Sequence, residues 1–106
     1  MTVQAFANTY DFKSICMPSP EKEIDGVYIG DLLSWVMGNA RQGNVWITIM
    51  SNINIVAVST LVDCSCILLA EGVLLDTEVI DAAMARGVNI LSTPLSAYEA
   101  AIKIGG

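Results

Sequence analysis

Apolar and polar positions alternate with a changing period along this chain, and each change of period marks an element. Thr2 is placed to cap a short first helix whose Val3, Phe6 and Tyr10 share one face. Phe12 to Cys16 predicts a strand, and Pro18-Ser19-Pro20 with Glu21-Lys22-Glu23 a surface loop, where proline sustains neither ladder. Val27-Tyr28-Ile29 predicts a second, short strand. Asp31 is placed as the N-cap of a helix with Leu32, Leu33, Val36, Met37 and Ala40 on its apolar face, ended by Gly43.

Val45 to Met50 is almost wholly apolar, as expected of a strand covered on both faces. Asn52 or Asn54 can cap Ile55 to Val62, which predicts a buried helix. Its β-branched Ile55, Val56 and Val58 lose rotamer freedom in a helix and keep a strand as the competing reading. Cys66 to Leu69 predicts another strand. Asp76 caps a helix with Val79, Ile80, Ala83 and Met84 inward and Gly87 as its stop. Val88 to Leu91 predicts the last strand. The final helix starts at Thr93-Pro94 or at a capping box of Ser96 and Glu99, with Leu95, Tyr98 and Ile102 inward.

From Val27 onward strand and helix alternate, which favours right-handed crossovers and parallel pairing. The expected fold is α/β: a three-layer sandwich with a mainly parallel sheet of about five strands, formed as one domain over residues 1–106. With 54% hydrophobic and only 15% charged residues in 106, apolar surface is left after the core is filled. A partner is expected to cover it, most simply a second copy in a two-fold homodimer. The net charge of −6 argues against nucleic acid and anionic membranes. The N-terminus lacks a signal-peptide pattern and three cysteines have no framework spacing, so the expected compartment is the cytoplasm.

Candidate chemistry is sparse. The chain has no histidine, the commonest general base near neutral pH. It has no phosphate-binding glycine loop, and Lys13, Lys22, Arg41, Arg86 and Lys103 are too scattered to clamp a phosphoryl group. An enzyme is not expected, nor a cofactor. Cys64 and Cys66, two apart, would face the same side of one strand and could meet one ion. Metal and iron–sulfur sites want about four ligands, so packing is the simpler role and no metal is expected.

The better candidate site is the set of strand-to-helix junctions, which a parallel sheet gathers along one edge. Asp31, Ser51, Asn52, Asn54, Glu71, Gly72 and Thr93 fall there, as ligand contacts or simply as caps and turn formers. Asp31, Glu71 and Asp76 oppose an anion and favour a polar uncharged or cationic group. Trp35 lies on the outer helix face with Ser34, Gly38 and Gln42, as an interface anchor or under the Pro18–Glu23 loop. Trp46, in an apolar strand, belongs to the core and needs a partner for its N–H.

The ordered segments Gly30-Asp31-Leu32-Leu33-Ser34, Trp46-Ile47-Thr48-Ile49, Asn54-Ile55-Val56-Ala57-Val58 and Cys66-Ile67-Leu68-Leu69-Ala70-Glu71-Gly72 resemble the DRTGG domain family. Within it they are most similar to small stand-alone members encoded beside iron-hydrogenase subunits. The resemblance implies the fold of the N-terminal domain of HPr kinase/phosphorylase and a non-catalytic regulatory or assembly role, with a partner in redox (hydrogenase) metabolism. A metabolite or nucleotide sensor at the junction edge is the alternative. The family's Asp-Arg pair falls near Ser51-Asn52 and its Thr-Gly-Gly near Ala70-Glu71-Gly72, so only Gly72 is carried over, as a turn residue.

Overall fold

Val45–Thr48 and Cys66–Leu69 are buried along their whole length, which makes them the middle of the sheet. The computed structural model describes residues 1–105. In chain order the elements are α1 (Val3–Tyr10), β1 (Lys13–Cys16), β2 (Val27–Ile29), α2 (Leu33–Asn39), β3 (Val45–Thr48), α3 (Asn54–Val62), β4 (Cys66–Leu69), α4 (Thr77–Arg86), β5 (Ile90–Ser92) and α5 (Ala97–Gly105). The sheet order is β1-β5-β4-β3-β2. The strands from β2 to β5 are parallel, and β1 joins β5 antiparallel with a register shift between Ser14 and Cys16.

β2 to β5 are added side by side in chain order. Crossovers of one hand that advance in one direction place their helices on one face. So Val36 of α2, Ile55 and Val58 of α3, and Val79 and Ala83 of α4 pack with Trp46, Ile67, Leu69 and Ile90. The alternate residues Val45, Ile47, Cys66, Leu68 and Leu91 point the other way, onto Val3, Phe6 and Ala7 of α1 and Ala100 of α5. The result is three layers around a five-stranded, mainly parallel sheet, as the alternating pattern predicts.

Several local expectations change. The competing strand reading of Ile55–Val62 fails: the segment is helical, with Ile55, Val58 and Ser59 turned inward. Asp31 does not cap α2, whose N-cap is Leu32 without a side-chain bond. Its carboxylate instead accepts the Thr48 hydroxyl at 2.8 Å and the Ile49 N–H at 3.0 Å. That second bond takes Ile49 out of the ladder, which is why β3 stops at Thr48 and not at Met50. Asp76 holds the N-cap position of α4 but makes no side-chain bond there. Met37 and Met84 are about half exposed, each at the rim of its apolar stripe.

The last helix uses the Ser96–Glu99 capping box. Ser96 N–H donates to Glu99 Oε1 at 2.9 Å and Glu99 N–H to Ser96 Oγ at 3.1 Å. Its inward face is Ala97, Ala100 and Ile104. Small alanines let α5 lie close to the sheet, and Tyr98 and Ile102 are exposed, not inward as their size suggests.

Candidate functional site

Because β2 to β5 are parallel, their C-terminal ends line one side of the sheet, and the seven candidate residues fall on it in three groups. Asp31 is tied to the exit of β3 by the two bonds above. Ser51, Asn52 and Asn54 form their own turn, in which Asn52 Oδ1 accepts the Asn54 N–H at 2.9 Å. Glu71, Gly72 and Thr93 are brought together at the exits of β4 and β5. Among the described residues no side-chain hydrogen bond joins one group to another.

The third group lies where a ligand crevice would open. The chain leaves β4 for α4 on one face and leaves β5 for α5 on the other, the switch point at which open α/β sheets bind ligands. Here the crevice is closed by its own backbone. Glu71 N–H donates to Leu95 O at 2.8 Å, Gly72 N–H to Thr93 O at 2.9 Å, and Thr93 N–H to Leu69 O at 2.9 Å. Glu71 and Gly72 both take left-handed backbone, φ 62° and 67°, which turns the loop back onto Thr93. Glycine removes the Cβ penalty at the second position, and Glu71 bears it at the first. Thr93 itself is buried, its hydroxyl accepting the Leu95 N–H at 3.2 Å. The amides of Glu71, Gly72 and Thr93 are thereby taken.

Cys64 and Cys66 do not share a face. Cys64 precedes β4 and packs with Val58, Val88 and Cys16 in the α2–α4 layer, whereas Cys66 packs in the α1–α5 layer. The same-side expectation fails because Cys64 lies outside the strand, where the two-residue period does not hold. Burial pushes the Cys64 thiol up to about 11 and raises Cys66 and Cys16 as well. Such thiols are poor nucleophiles.

Trp46 is fully buried and donates its indole N–H to Gly30 O at 2.8 Å, which fixes the exit of β2. Trp35 is 64% exposed. The Pro18–Glu23 loop does not cover it, because that loop crosses the N-terminal ends of β4 and β5. Ser19 N–H donates there to Asn89 Oδ1 at 2.9 Å, Asn89 Nδ2 donates back to Ser19 O and also to Ser65 O at 3.0 Å, and Ser65 Oγ donates to Glu23 O. Sequence reasoning missed Asn89 and the also buried Asn44, whose Nδ2 donates to Asp25 O at 2.6 Å. The available signal was an asparagine one or two places ahead of an apolar strand.

A second feature escaped the sequence: β2 is an open edge. In a parallel pair alternate residues aim their peptide groups at the partner. Gly26 O and Gly30 N–H bond β3, so Val27 and Ile29 present theirs outward. Both side chains are more than two-fifths exposed. Beside them lies an open groove of about 280 Å³ whose lining includes Met1, Tyr10, Ile24 and Val27. Between α3 and α4 a smaller hollow of about 220 Å³ is lined by Ile53, Asn54, Ala57 and Arg86 among others; it takes in Asn54 and none of the other six candidates.

No family model matches the sequence, and no curated protein matches it. Among solved structures, the chain is similar to the CBS and DRTGG domains of the regulatory region of Clostridium perfringens pyrophosphatase, complexed with its activator diadenosine tetraphosphate. The TM-score is 0.75 at 16% identity, over 97% of this chain and 45% of that one. The fold is a DRTGG/CBS-like α/β domain. This chain therefore spans less than half the length of the regulatory region it resembles, and at that identity the likeness is one of fold. No helix of the described residues is long and apolar enough to cross a membrane.

Proposed function

We propose that this DRTGG-like chain is a single-domain, cytoplasmic, non-catalytic regulatory or assembly module that works by protein contact and is homodimeric. The observation that carries the reading is a contrast in availability. The switch-point crevice is bonded shut by the amides of Glu71, Gly72 and Thr93, while the β2 edge and the Trp35 flank lie open. The similarity in fold to part of a regulatory region supports it. A link to hydrogenase or other redox metabolism rests on the likeness of the Gly30–Gly72 segments to hydrogenase-associated members, and so ranks below the module reading. Isolation of the native chain from its own cells tests the role. Recovery with a redox enzyme, lost in Trp35→Glu, is expected; recovery alone, without any protein partner, contradicts it.

The second reading is a sensor, favoured by one observation: the solved neighbour was crystallised with a nucleotide activator. In this chain such a ligand would meet Asp31, Asn52, Asn54 and Glu71 on the junction edge, with Ser51 half-buried among them. A thermal-shift screen separates the two. A ligand at a hundred times its Kd raises stability by about 2.7 kcal/mol, and a nucleotide or metabolite that does so in wild type but not in Asn52→Ala establishes the sensor. Flat curves leave the module reading in place.

A further inference from the structure

The stretch from Gly26 to Arg41, which carries β2 and α2, leaves the sheet and returns to it at one joint. Asn44, buried just ahead of β3, holds both ends. Its Nδ2 donates to Asp25 O at 2.6 Å and its Oδ1 accepts the Arg41 N–H at 2.8 Å. Asp25 N–H donates to Gly43 O at 2.8 Å across the same joint. Gly26 and Gly43 stand on its two sides with left-handed backbone, φ 78° and 85°, and a Cβ at Gly26 would sit 3.0 Å from Asn44 Nδ2. The joint is built for glycine.

At its far end the same stretch is fastened by a clasp. Gly30 O accepts the Trp46 indole N–H at 2.8 Å, and Gly30 N–H donates to Ile47 O at 3.2 Å. The Asp31 carboxylate takes the Thr48 hydroxyl and the Ile49 N–H. Gly30 and Asp31 are thus bonded to every residue from Trp46 to Ile49. Between joint and clasp the support is thin. β2 is three residues at the end of the sheet. α2 is seven residues without a side-chain N-cap, contains Gly38, and buries only Val36 completely. Its neighbour α3 buries Ile55, Val56, Val58 and Ser59. A helix as short as α2 is held by packing rather than by propensity.

We infer that residues 27–40 are a hinged flap. They swing away from β3 as one unit about Gly26 and Gly43 when the Gly30–Asp31 clasp lets go, while the rest of the sheet stays folded. Local opening draws on the regions with the fewest buried contacts, and hinges on a few residues that absorb backbone rotation. Asn44 lies outside the moving part and keeps entry and exit pinned, so the motion is a swing and not a fraying. The flap hides the edge of β3, a strand buried along its length, and the indole of Trp46, whose N–H is bonded to the flap itself. Closed, the chain ends its sheet with β2. Open, it ends it with β3 and bares a tryptophan. The fold thereby holds a switch between two edges, which rests on the bonds of a single chain and does not require the homodimer.

Native-state hydrogen exchange of the purified chain tests this, in dilute solution and in denaturant too weak to unfold it. The amides of Gly30, Val36 and Ala40, bonded to Ile47 O, Leu32 O and Val36 O, are expected to share one opening equilibrium. Ile67 and Ala70, bonded to Asn89 O and Thr48 O outside the flap, open at least about a hundredfold less often. Asp31→Ala and Thr48→Val each speed the flap amides by at least about tenfold. Asn89→Ala, whose bonds survive in the open state, speeds Ile67 and Ala70 but leaves the flap amides as they were. Ser19→Ala, which removes only the bond to Gly87 O, does the same more mildly. Flap amides that match Ile67 and Ala70 in wild type, and follow them in Asn89→Ala or Ser19→Ala, overturn the inference, because the chain then opens only as a whole. So does fast exchange at Val36 and Ala40 with Gly30 as slow as Ile67, which is a fraying helix and no flap.

Discussion

The two margins of the sheet are built to opposite specifications. β1 closes one margin antiparallel to β5, carries Lys13, breaks register between Ser14 and Cys16, and runs into Pro18 and Pro20. Charge, irregularity and proline are the devices by which proteins keep an edge from adding strands. β2 closes the other margin by shortness alone: three regular residues, no charge among them, and Val27 and Ile29 half open. The difference leaves β2 as the edge with fewer of these guards.

The largest predicted effect is on the side that is closed. Asn89 is buried and its amide accepts from Ser19 N–H while donating to Ser19 O and Ser65 O, which fastens the passage from β1 to β2 across the N-terminal ends of β4 and β5. Asn89→Ala leaves those groups without partners and is expected to cost about 2–4 kcal/mol, read as a fall in Tm. Trp46→Phe tests the open side. It removes the bond to Gly30 O and is expected to cost about 1–2 kcal/mol while loosening β2. A larger loss there than at Asn89 would reverse the assignment of rigid and available margins.

Lys13→Ile changes stability by less than about 0.5 kcal/mol, yet is expected to create concentration-dependent association through β1. If light scattering shows none, the register shift and prolines suffice without the charge. The smallest effect belongs to the ion pair between Lys22 and Asp63 at 3.1 Å. The Lys22 hydrogen bond, helped by Gln42, holds the Asp63 carboxyl below the usual range. A depressed folded value stabilises above the unfolded value, near pH 4, and is lost as pH falls through the folded one. Both side chains are more than a third exposed, so Lys22→Ala costs a few tenths of a kcal/mol at neutral pH and nothing in acid.

Most of the fold was legible because burial dictates period. β2 and β4 fell where the apolar runs placed them, and α3 formed as a helix despite its β-branched residues, since Ile55, Val58, Ser59 and Val62 recur on one face. Asp31 was misread because an aspartate ahead of a helix is as good an acceptor for a neighbouring strand end as for its own helix. Tyr98 was misread because side-chain size says nothing of how close a helix approaches the sheet. The junction residues were locatable on one edge by the parallel order alone. That their amides would be consumed by Thr93 and Leu95 depends on contacts some twenty residues apart, which no local pattern carries. Nor could the sequence say that β2 would be outermost, because spatial order is decided by pairing.

Backbone amide hydrogen exchange compares the two margins and the junction edge in one experiment. Across a concentration series, the outward amides of Val27 and Ile29 are expected to become protected as the chain dimerises, while Ser14 on β1 and Asn52 at the junctions stay unchanged. Amides at Val27 and Ile29 that exchange freely at every concentration, with protection gained instead at Asn52, would contradict an account in which this sheet binds by its open strand.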